Sequence, residues 1–317
     1  MSFASPIGQP SQPSSTPLPS PSLVSIVLPT YNGDRYLREA IDGCLQQTHA
    51  NLELIVVVDA STDRTGGILN AIADPRLHIV RHENNRGLSA SLNSGFAQAQ
   101  GEYLTWTSDD NFYEPEAIER MLSYLRQVRA DFVYADFHRI DDSGQTLEVV
   151  QLGSPEELLE KNCVGACFLY RREVYTCLGD YNLEARLAED LEYWLRVYRS
   201  FKLAHQPEDL YAYRVHPNSL TGASYNRYEA LRVAARARFR ILRLGWRRFA
   251  QQMAAVDIEE GFARYARGDL SGAQSVFWRA LRRNPTWLTN RGVRSVLARS
   301  LMQPIQRAGK NQGPPRP

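Results

Sequence analysis

The stretch LELIVVVDA, residues 52–60, is an almost continuous run of apolar and β-branched residues that ends next to an aspartate. A run without alternation of apolar and polar residues is typical of a strand buried on both faces, as in a parallel sheet covered by helices. Sheets of this kind bind ligands beyond the carboxyl ends of their strands. Asp59 therefore stands at a position where functional groups are expected.

Similar segments surround this run on both sides. Short apolar stretches predict further strands at 24–30, 77–82, 102–108 and 131–141. Amphipathic segments predict helices at 34–47, 62–73, 87–100 and 188–200. Strands that alternate with helices predict a doubly wound α/β fold, and the polar residues after each strand should then meet at one edge of the sheet.

The composition indicates a globular protein with a distinct start. The chain has 317 residues and is 43% hydrophobic, which is sufficient for a large core. Residues 1–22 are mostly Pro, Ser, Gln and Thr without Lys or Arg, and we interpret them as a flexible tail, not a signal peptide. No segment approaches the roughly 18 apolar residues of a membrane span. The four cysteines form no CxxC motif, which favours reduced thiols and a cytoplasmic location.

Charge is distributed unevenly along the chain. Residues 1–226 carry 18 Lys and Arg against 30 Asp and Glu, whereas residues 227–317 carry 19 against 5. The basic part is predicted to be helical, and residues 261–288 resemble one tetratricopeptide-type helix hairpin that ends at Asn284–Pro285. We therefore predict a tail (1–22), an α/β domain (23–226) and a basic helical region (227–317).

The motifs that follow the predicted strands occur in a characteristic order. They read VSIVLPTYNG, ELIVVVDASTDRT, NRGLSASLNSGFAQAQGEYLTWTSDD, GACFLYRREVYTCLGDYN, AEDLEYWLR and YRVHPNSLT. In this order they resemble the inverting glycosyltransferases of family 2, over about residues 24–218. The resemblance implies the GT-A fold, in which a mostly parallel, Rossmann-like central sheet is flanked by helices, here with a C-terminal α-helical appendage.

The resemblance implies that three of these loops bind the nucleoside-diphosphate-sugar donor. Pro29 and Thr30 leave the first strand, and Tyr31 can offer its ring to a base. The Asp59 carboxylate would accept a hydrogen bond from a uracil-type base, and Arg86 could reach a phosphate or the base. The family commonly has Gly where this chain has Ala60, a position that requires a permissive backbone.

A divalent metal, Mn²⁺ or Mg²⁺, is also implied by the resemblance. The family's Asp-x-Asp motif corresponds to Thr107-Ser108-Asp109 in this sequence. Asp109 therefore matches the direct metal ligand, and Thr107 has a hydroxyl where the family has the first carboxylate. Asp110 would cap the next helix or support Asp109. The alternative is that these residues form only an acidic turn before a helix.

The remaining predicted site residues lie in the second half of the domain. By match to the family's Glu-Asp pair, Asp190 is the general base and Glu189 its neighbour, although adjacent acids at a helix start also commonly offset the helix dipole. Arg214 and His216 match an Arg-x-His motif that contacts the diphosphate or the metal.

The predicted function is transfer of a sugar from a UDP- or dTDP-sugar to a hydroxyl of a glycan or lipid-linked acceptor. The alternative is a module of the same fold that binds nucleotide sugar or glycan but is catalytically impaired, which the Thr107 departure motivates. A Rossmann dehydrogenase is disfavoured because the first strand is followed by PTYNGD and not by a Gly-x-Gly-x-x-Gly turn. In the basic helical region, the arginines are interleaved with apolar residues. This pattern favours helices that pack on the α/β domain or lie at the inner face of a membrane, and it disfavours nucleic-acid binding.

Overall fold

The computed structural model describes residues 22–219 and 226–301, so the predicted tail lies outside the described residues except for Ser22. The described chain forms nine strands: β1 (Val24–Thr30), β2 (Leu52–Asp59), β3 (Leu77–His82), β4 (Tyr103–Trp106), β5 (Phe112–Tyr113), β6 (Phe132–Ile140), β7 (Thr146–Val150), β8 (Cys167–Arg171) and β9 (Leu203–Arg214). Its ten α-helices are α1 (Leu37–Leu45), α2 (Thr65–Asn70), α3 (Leu88–Gln98), α4 (Ala117–Val128), α5 (Arg172–Leu178), α6 (Glu189–Ser200), α7 (Arg227–Ile241), α8 (Trp246–Ala266), α9 (Leu270–Arg283) and α10 (Arg291–Leu301).

The strands form one mixed sheet in the order β3-β2-β1-β4-β8-β6-β9-β5, with β7 paired to β6. The first four strands pair in parallel, as the sequence predicts. Beyond β4 the sheet changes character, because β8 is antiparallel to both β4 and β6, while β6 and β9 are parallel. The predicted α/β fold with a central sheet between helices is confirmed, and the parallel arrangement is confined largely to its first half.

The first half of the sheet is buried on both faces. Successive side chains of a strand point to opposite faces, so Ile26 and Leu28 enter the core that includes helices α1 and α4, whereas Val27 enters the core that includes α3 and α6. Helix α3 lies very close to the sheet, since a Cβ added at Gly95 would stand 2.4 Å from Val27 Cγ1. Every residue of β2 is buried, as its continuous apolar run predicts.

Several element boundaries lie one to three residues inside the predicted ones, and two of these differences bear on the site. The helix predicted from residue 62 begins at Thr65, and Asp63 Oδ1 accepts a hydrogen bond from the Thr65 backbone N–H at 3.0 Å, which holds the turn that precedes the helix. Strand β4 ends at Trp106, two residues earlier than predicted, and the polar residues that follow form a loop.

The C-terminal helices have a core of their own. Helices α8 and α9 pack closely, and a Cβ at Gly261 would stand 2.5 Å from the Phe277 ring. Helix α9 ends before Asn284–Pro285, where the sequence predicts a stop. Helix α7 joins this region to the domain, because its Arg238 side chain is buried and donates to the Leu158 carbonyl at 2.7 Å. Among the residues described, no helix is both long and apolar enough to cross a bilayer.

Candidate functional site

The loops that follow β1 and β2 are fastened to each other. The Asn32 backbone N–H donates to Ser61 Oγ at 3.0 Å, and Asn32 Oδ1 accepts from the Thr62 N–H at 2.8 Å. Asn32 and Ala60 adopt left-handed backbone conformations, with φ of 53° and 60°. Ala60 thus occupies the permissive conformation expected where the family commonly has Gly, at a cost of about 1 kcal/mol. These contacts hold the exposed Tyr31 ring at the carboxyl edge of the sheet.

Asp59 organises the loop that follows β3. Its buried carboxylate accepts hydrogen bonds from the backbone N–H groups of Arg86 and Gly87 and lies 2.7 Å from His82 Nδ1. The carboxylate that the sequence assigns to base recognition therefore already has several partners within the protein. The Arg86 side chain is exposed at this edge, and within residues 22–219 and 226–301 its guanidinium forms no hydrogen bond or ion pair.

Asp109 lies where the ends of β1 and β4 meet. Its Oδ2 accepts a hydrogen bond from Thr30 Oγ1 at 2.6 Å. Burial and the neighbouring Asp110 charge raise the pKa of Asp109 to about 6, although the Thr30 hydrogen bond opposes that shift. Gly33 packs directly on this carboxylate, because a Cβ there would stand 2.0 Å from Asp109 Oδ2. Only glycine leaves room for the carboxylate in this position.

Asp110 has one oxygen engaged and one unsatisfied. Its Oδ2 lies 3.0 Å from His216 Nε2, whereas its Oδ1 is buried and has no hydrogen-bond partner among the described residues. The His216 ring also contacts the Tyr36 ring, with 5.2 Å between centroids. Within the described parts of the chain, no group of three or more His, Cys, Asp or Glu side chains is arranged to hold a metal ion. The acidic turn thus fits only a metal that takes further oxygen ligands from a bound substrate or water.

Thr107 and Ser108 occupy the remaining positions of the predicted metal step. Thr107 is buried, and its hydroxyl forms a hydrogen bond with the Tyr211 hydroxyl at 2.7 Å. Its side chain therefore joins β4 to β9 inside the protein, which differs from the predicted contact with ribose or bound water. Ser108 is partly buried and belongs to the same turn.

Arg214 is buried in the protein and does not project into an open cleft. Its guanidinium donates to the Asp110 carbonyl at 3.1 Å, forms an ion pair with Glu39 and lies 4.5 Å from the Tyr36 ring centroid. Its backbone N–H donates to Asn111 Oδ1 at 2.7 Å. These contacts give Arg214 the geometry of a residue that positions the acidic turn, in contrast to the direct diphosphate contact predicted from the sequence.

The predicted base and its neighbour begin helix α6. Burial and the Asp190 charge raise the pKa of Glu189 to about 7. Burial also raises the pKa of Asp190, although hydrogen bonds from the Leu191 N–H and the Asn162 amide oppose this shift. The Asn162 amide donates to Asp190 Oδ2 at 2.9 Å. Asn162 was not assigned a role from the sequence, and no local pattern signals that it contacts a residue in another element.

Tyr181 connects the start of α6 with the end of β4. Its hydroxyl accepts a hydrogen bond from Trp106 Nε1 at 2.9 Å, and its pKa is raised by burial and by the neighbouring Tyr193. Trp106 lies three residues before Asp109 in the chain. Tyr181 also stacks on Tyr193 of α6, with 4.2 Å between ring centroids, so this aromatic group connects α6 to the end of β4, a contact that the sequence does not indicate.

Comparisons with known proteins are consistent with this arrangement. The family model described as Glycosyl transferase family 2 matches residues 25–179. An uncharacterized glycosyltransferase of Rickettsia typhi is 32% identical over 224 residues, or 66% of this chain and 70% of that protein. The uncharacterized glycosyltransferase EpsJ of Bacillus subtilis is 30% identical over 221 residues, or 64% of each chain.

Solved structures give the same picture of the fold. The crystal structure of Staphylococcus aureus TarS residues 1–349 in complex with UDP-GlcNAc superimposes with a TM-score of 0.62 at 18% sequence identity. The superposition covers 81% of this chain and 79% of that chain. At this level of identity the likeness establishes a common fold.

Proposed function

The chain belongs to glycosyltransferase family 2 and has its GT-A fold, and from this premise we propose that it transfers a sugar from a nucleoside-diphosphate-sugar to an acceptor hydroxyl with inversion. The observation that carries the proposal is the pair of partly buried carboxylates at the start of α6, both with raised pKa values. An inverting transfer is a single displacement and needs one general base to take the acceptor's proton. Asp190 has that role here, with Glu189 beside it.

The donor is proposed to bind at the carboxyl edge of the parallel strands. The exposed Tyr31 and Arg86 follow β1 and β3, the two strands on either side of the strand that ends at Asp59, so a flat base and a phosphate each have a suitable neighbour. TarS was crystallised with UDP-GlcNAc, which supports a uridine nucleotide, and a dTDP-sugar is the other member of the proposed class. Thr30 would act through its hydrogen bond to Asp109, and Pro29 by stiffening the end of β1.

A divalent metal, Mn²⁺ or Mg²⁺, is part of the proposal. Asp109 and Asp110 would face it, and His216 would support it through its contact with Asp110. The Asp110 Oδ1 atom is buried and lacks a hydrogen-bond partner within the described residues, and such an oxygen suits a hard cation. When bound, the metal would offset negative charge on the departing diphosphate. Glu39 pairs with the Arg214 guanidinium and so limits the excess positive charge beside this turn.

Asp190 would act as a base only in its ionised form. Because burial raises its pKa, its carboxylate is a stronger base than an exposed aspartate, and transfer should slow as the pH falls through that raised pKa. The Asn162 amide fixes one carboxylate oxygen and leaves the acceptor hydroxyl to approach the side chain from another direction.

The acceptor is proposed to be a glycan or a lipid-linked precursor on the cytoplasmic side of a membrane. A catalytically impaired binding module is the second candidate, favoured by the engagement of the Thr107 hydroxyl with Tyr211. The two candidates differ in turnover, so the same assay distinguishes them.

The test is a transfer and hydrolysis assay with UDP- and dTDP-sugars, with Mn²⁺, with Mg²⁺ and with a chelator. Asp190→Asn should reduce kcat by about 10²- to 10⁴-fold while donor binding persists. Asp109→Ala should remove the metal-dependent rate. The matched control is Asp42→Asn, on an exposed face of α1, which should leave turnover unchanged. Full turnover by Asp190→Asn would refute the base assignment, and donor binding without any turnover would favour the binding module.

A further inference from the structure

An aromatic cluster lies at the turn between α7 and α8, and Trp246 is its exposed member. Trp246 is 68% exposed, and its ring centroid lies 5.4 Å from that of Phe249 and 5.9 Å from that of Phe239. We call residues 239–249 the α7–α8 tip. Large aromatic side chains grouped at the surface usually mark an interaction site, because the same area would be more stable away from water.

The α7–α8 tip is also strongly basic. It contains Arg240, Arg243, Arg247 and Arg248 and no acidic residue. Arg248 lies 3.3 Å from Glu160, and Arg240 lies 3.6 Å from Glu192. For Arg243 and Arg247, the described portion of the chain provides no ion pair or hydrogen-bond partner for the guanidinium. Two arginines without a partner among the described residues thus lie within three residues of the exposed Trp246 in the chain.

A groove adjoins the tip. It has a volume of about 460 Å³ and is lined by Leu159, Tyr198, Arg199, Ile241, Leu242 and Arg243. Its walls combine apolar side chains with two guanidinium groups. This combination matches a molecule that has a negatively charged head next to hydrocarbon.

We propose that the α7–α8 tip docks on a membrane surface that contains anionic phospholipid, with Trp246 inserted at the interface and Arg243 and Arg247 against the phosphates. Tryptophan is favoured at the boundary between headgroups and hydrocarbon, and each nearby arginine adds electrostatic attraction. The tip is the end of a helix hairpin whose rings pack on each other. Such rings are less suited to the separate stacking of nucleic-acid bases.

The position of the tip has a consequence for catalysis. Arg199 lines the groove near the end of α6, and its guanidinium donates to the Ile241 carbonyl at 3.3 Å, whereas Asp190 lies at the start of the same helix. At 1.5 Å per residue these two positions are about 14 Å apart along the helix axis. Docking through the tip would therefore hold the start of α6, where Asp190 lies, within reach of an acceptor that is attached to a lipid of that membrane.

Vesicle flotation of the full chain tests the proposal. We expect the protein to float with phosphatidylcholine vesicles that contain about 30% phosphatidylglycerol, and to bind vesicles of phosphatidylcholine alone much more weakly. The double variant Arg243→Gln/Arg247→Gln should bind the anionic vesicles about 25-fold more weakly. Trp246→Ala should weaken binding by about tenfold.

Matched variants control for general effects on charge and stability. Trp278→Ala removes an exposed tryptophan of α9 that is 45% exposed, and Arg267→Gln/Arg282→Gln removes two exposed arginines of the same region. These variants should bind anionic vesicles like the wild type. Thermal melts of all four variants establish that each is folded.

The proposal would be overturned if the wild type failed to float with anionic vesicles, or if the tip variants and the control variants bound equally well. A fluorescent single-stranded RNA serves as the competing ligand. Tight RNA binding that the Arg243→Gln/Arg247→Gln variant loses, without vesicle binding by the wild type, would identify the tip as a nucleic-acid site instead. Because flotation needs no donor or turnover, it can fail while the transferase assay succeeds, and the reverse also holds.

Discussion

Glu189→Gln should make the protein more stable at neutral and alkaline pH. The pKa of Glu189 is raised from 4.5 to about 7 in the folded protein, first by burial and then by the Asp190 charge. A raised carboxyl pKa means that the folded state holds the proton more tightly than the unfolded state. Glu189 therefore does not lower the free energy of unfolding below about pH 4.5, where it is protonated. The full loss of stability is reached as the pH rises above about 7.

The magnitude follows from the size of the shift. Each pKa unit corresponds to about 1.4 kcal/mol, so ionised Glu189 destabilises the fold by at most about 3.5 kcal/mol, and by less to the extent that water reaches the carboxylate. Glutamine has nearly the same shape and no charge. The unfolding free energy of Glu189→Gln minus that of the wild type should therefore be about 2 to 3 kcal/mol larger at pH 8 than at pH 4.5.

Urea unfolding across this pH range measures the difference, and Glu260→Gln is the matched control. Burial alone would raise the pKa of Glu260, but hydrogen bonds from Arg232 and Arg264 outweigh it and hold that pKa below 4.5. Glu260 thus adds stability above pH 4.5, which is lost as the pH falls through its folded pKa, so Glu260→Gln should destabilise the protein at pH 8. If the free-energy difference between wild type and Glu189→Gln did not change with pH, the reasoning about the buried pair would be refuted.

Two further substitutions test the site geometry. Gly33→Ala should lower both stability and transfer, because its Cβ would stand 2.0 Å from Asp109 Oδ2. Gly66→Ala, whose Cβ would meet no described atom within 4 Å, should leave transfer unchanged in the same assay. Equal activity of the two variants would contradict the close packing at Gly33. Asn162→Ala removes a hydrogen bond that favours the Asp190 carboxylate, so the acidic limb of the pH–rate profile should move to higher pH. An unmoved limb would assign Asn162 a purely structural role.

The local order of strands, helices and polar loops was predictable from the sequence. Strand β1 spans the predicted residues 24–30, and β2 and α6 begin within one residue of their predicted starts. The spacing of apolar residues within a segment indicates whether the segment forms a strand or a helix and which face is buried, and this information is local. The resemblance added the family and the GT-A fold, because the motifs stand in a fixed order at strand ends.

Some side-chain environments were not predictable in this way. The sequence predicts that Thr107 faces the donor, yet its hydroxyl is hydrogen-bonded to that of Tyr211, which lies 104 residues later in the sequence. Arg214 was expected to contact the diphosphate, yet it is buried beside Tyr36. Both outcomes follow from the position of β9, whose parallel pairing with β6 brings its far end beside the acidic turn.

The sequence by itself thus determined the class of fold, the family and the residues that stand at the strand ends. Tertiary structure alone decided which of those residues share hydrogen bonds, such as Thr30 with Asp109 and Asn162 with Asp190. It also decided that the α7–α8 tip remains at the surface. The physical reason is that periodicity reports how each segment faces the core. Contacts between distant segments depend instead on strand order and helix packing, which no local pattern encodes.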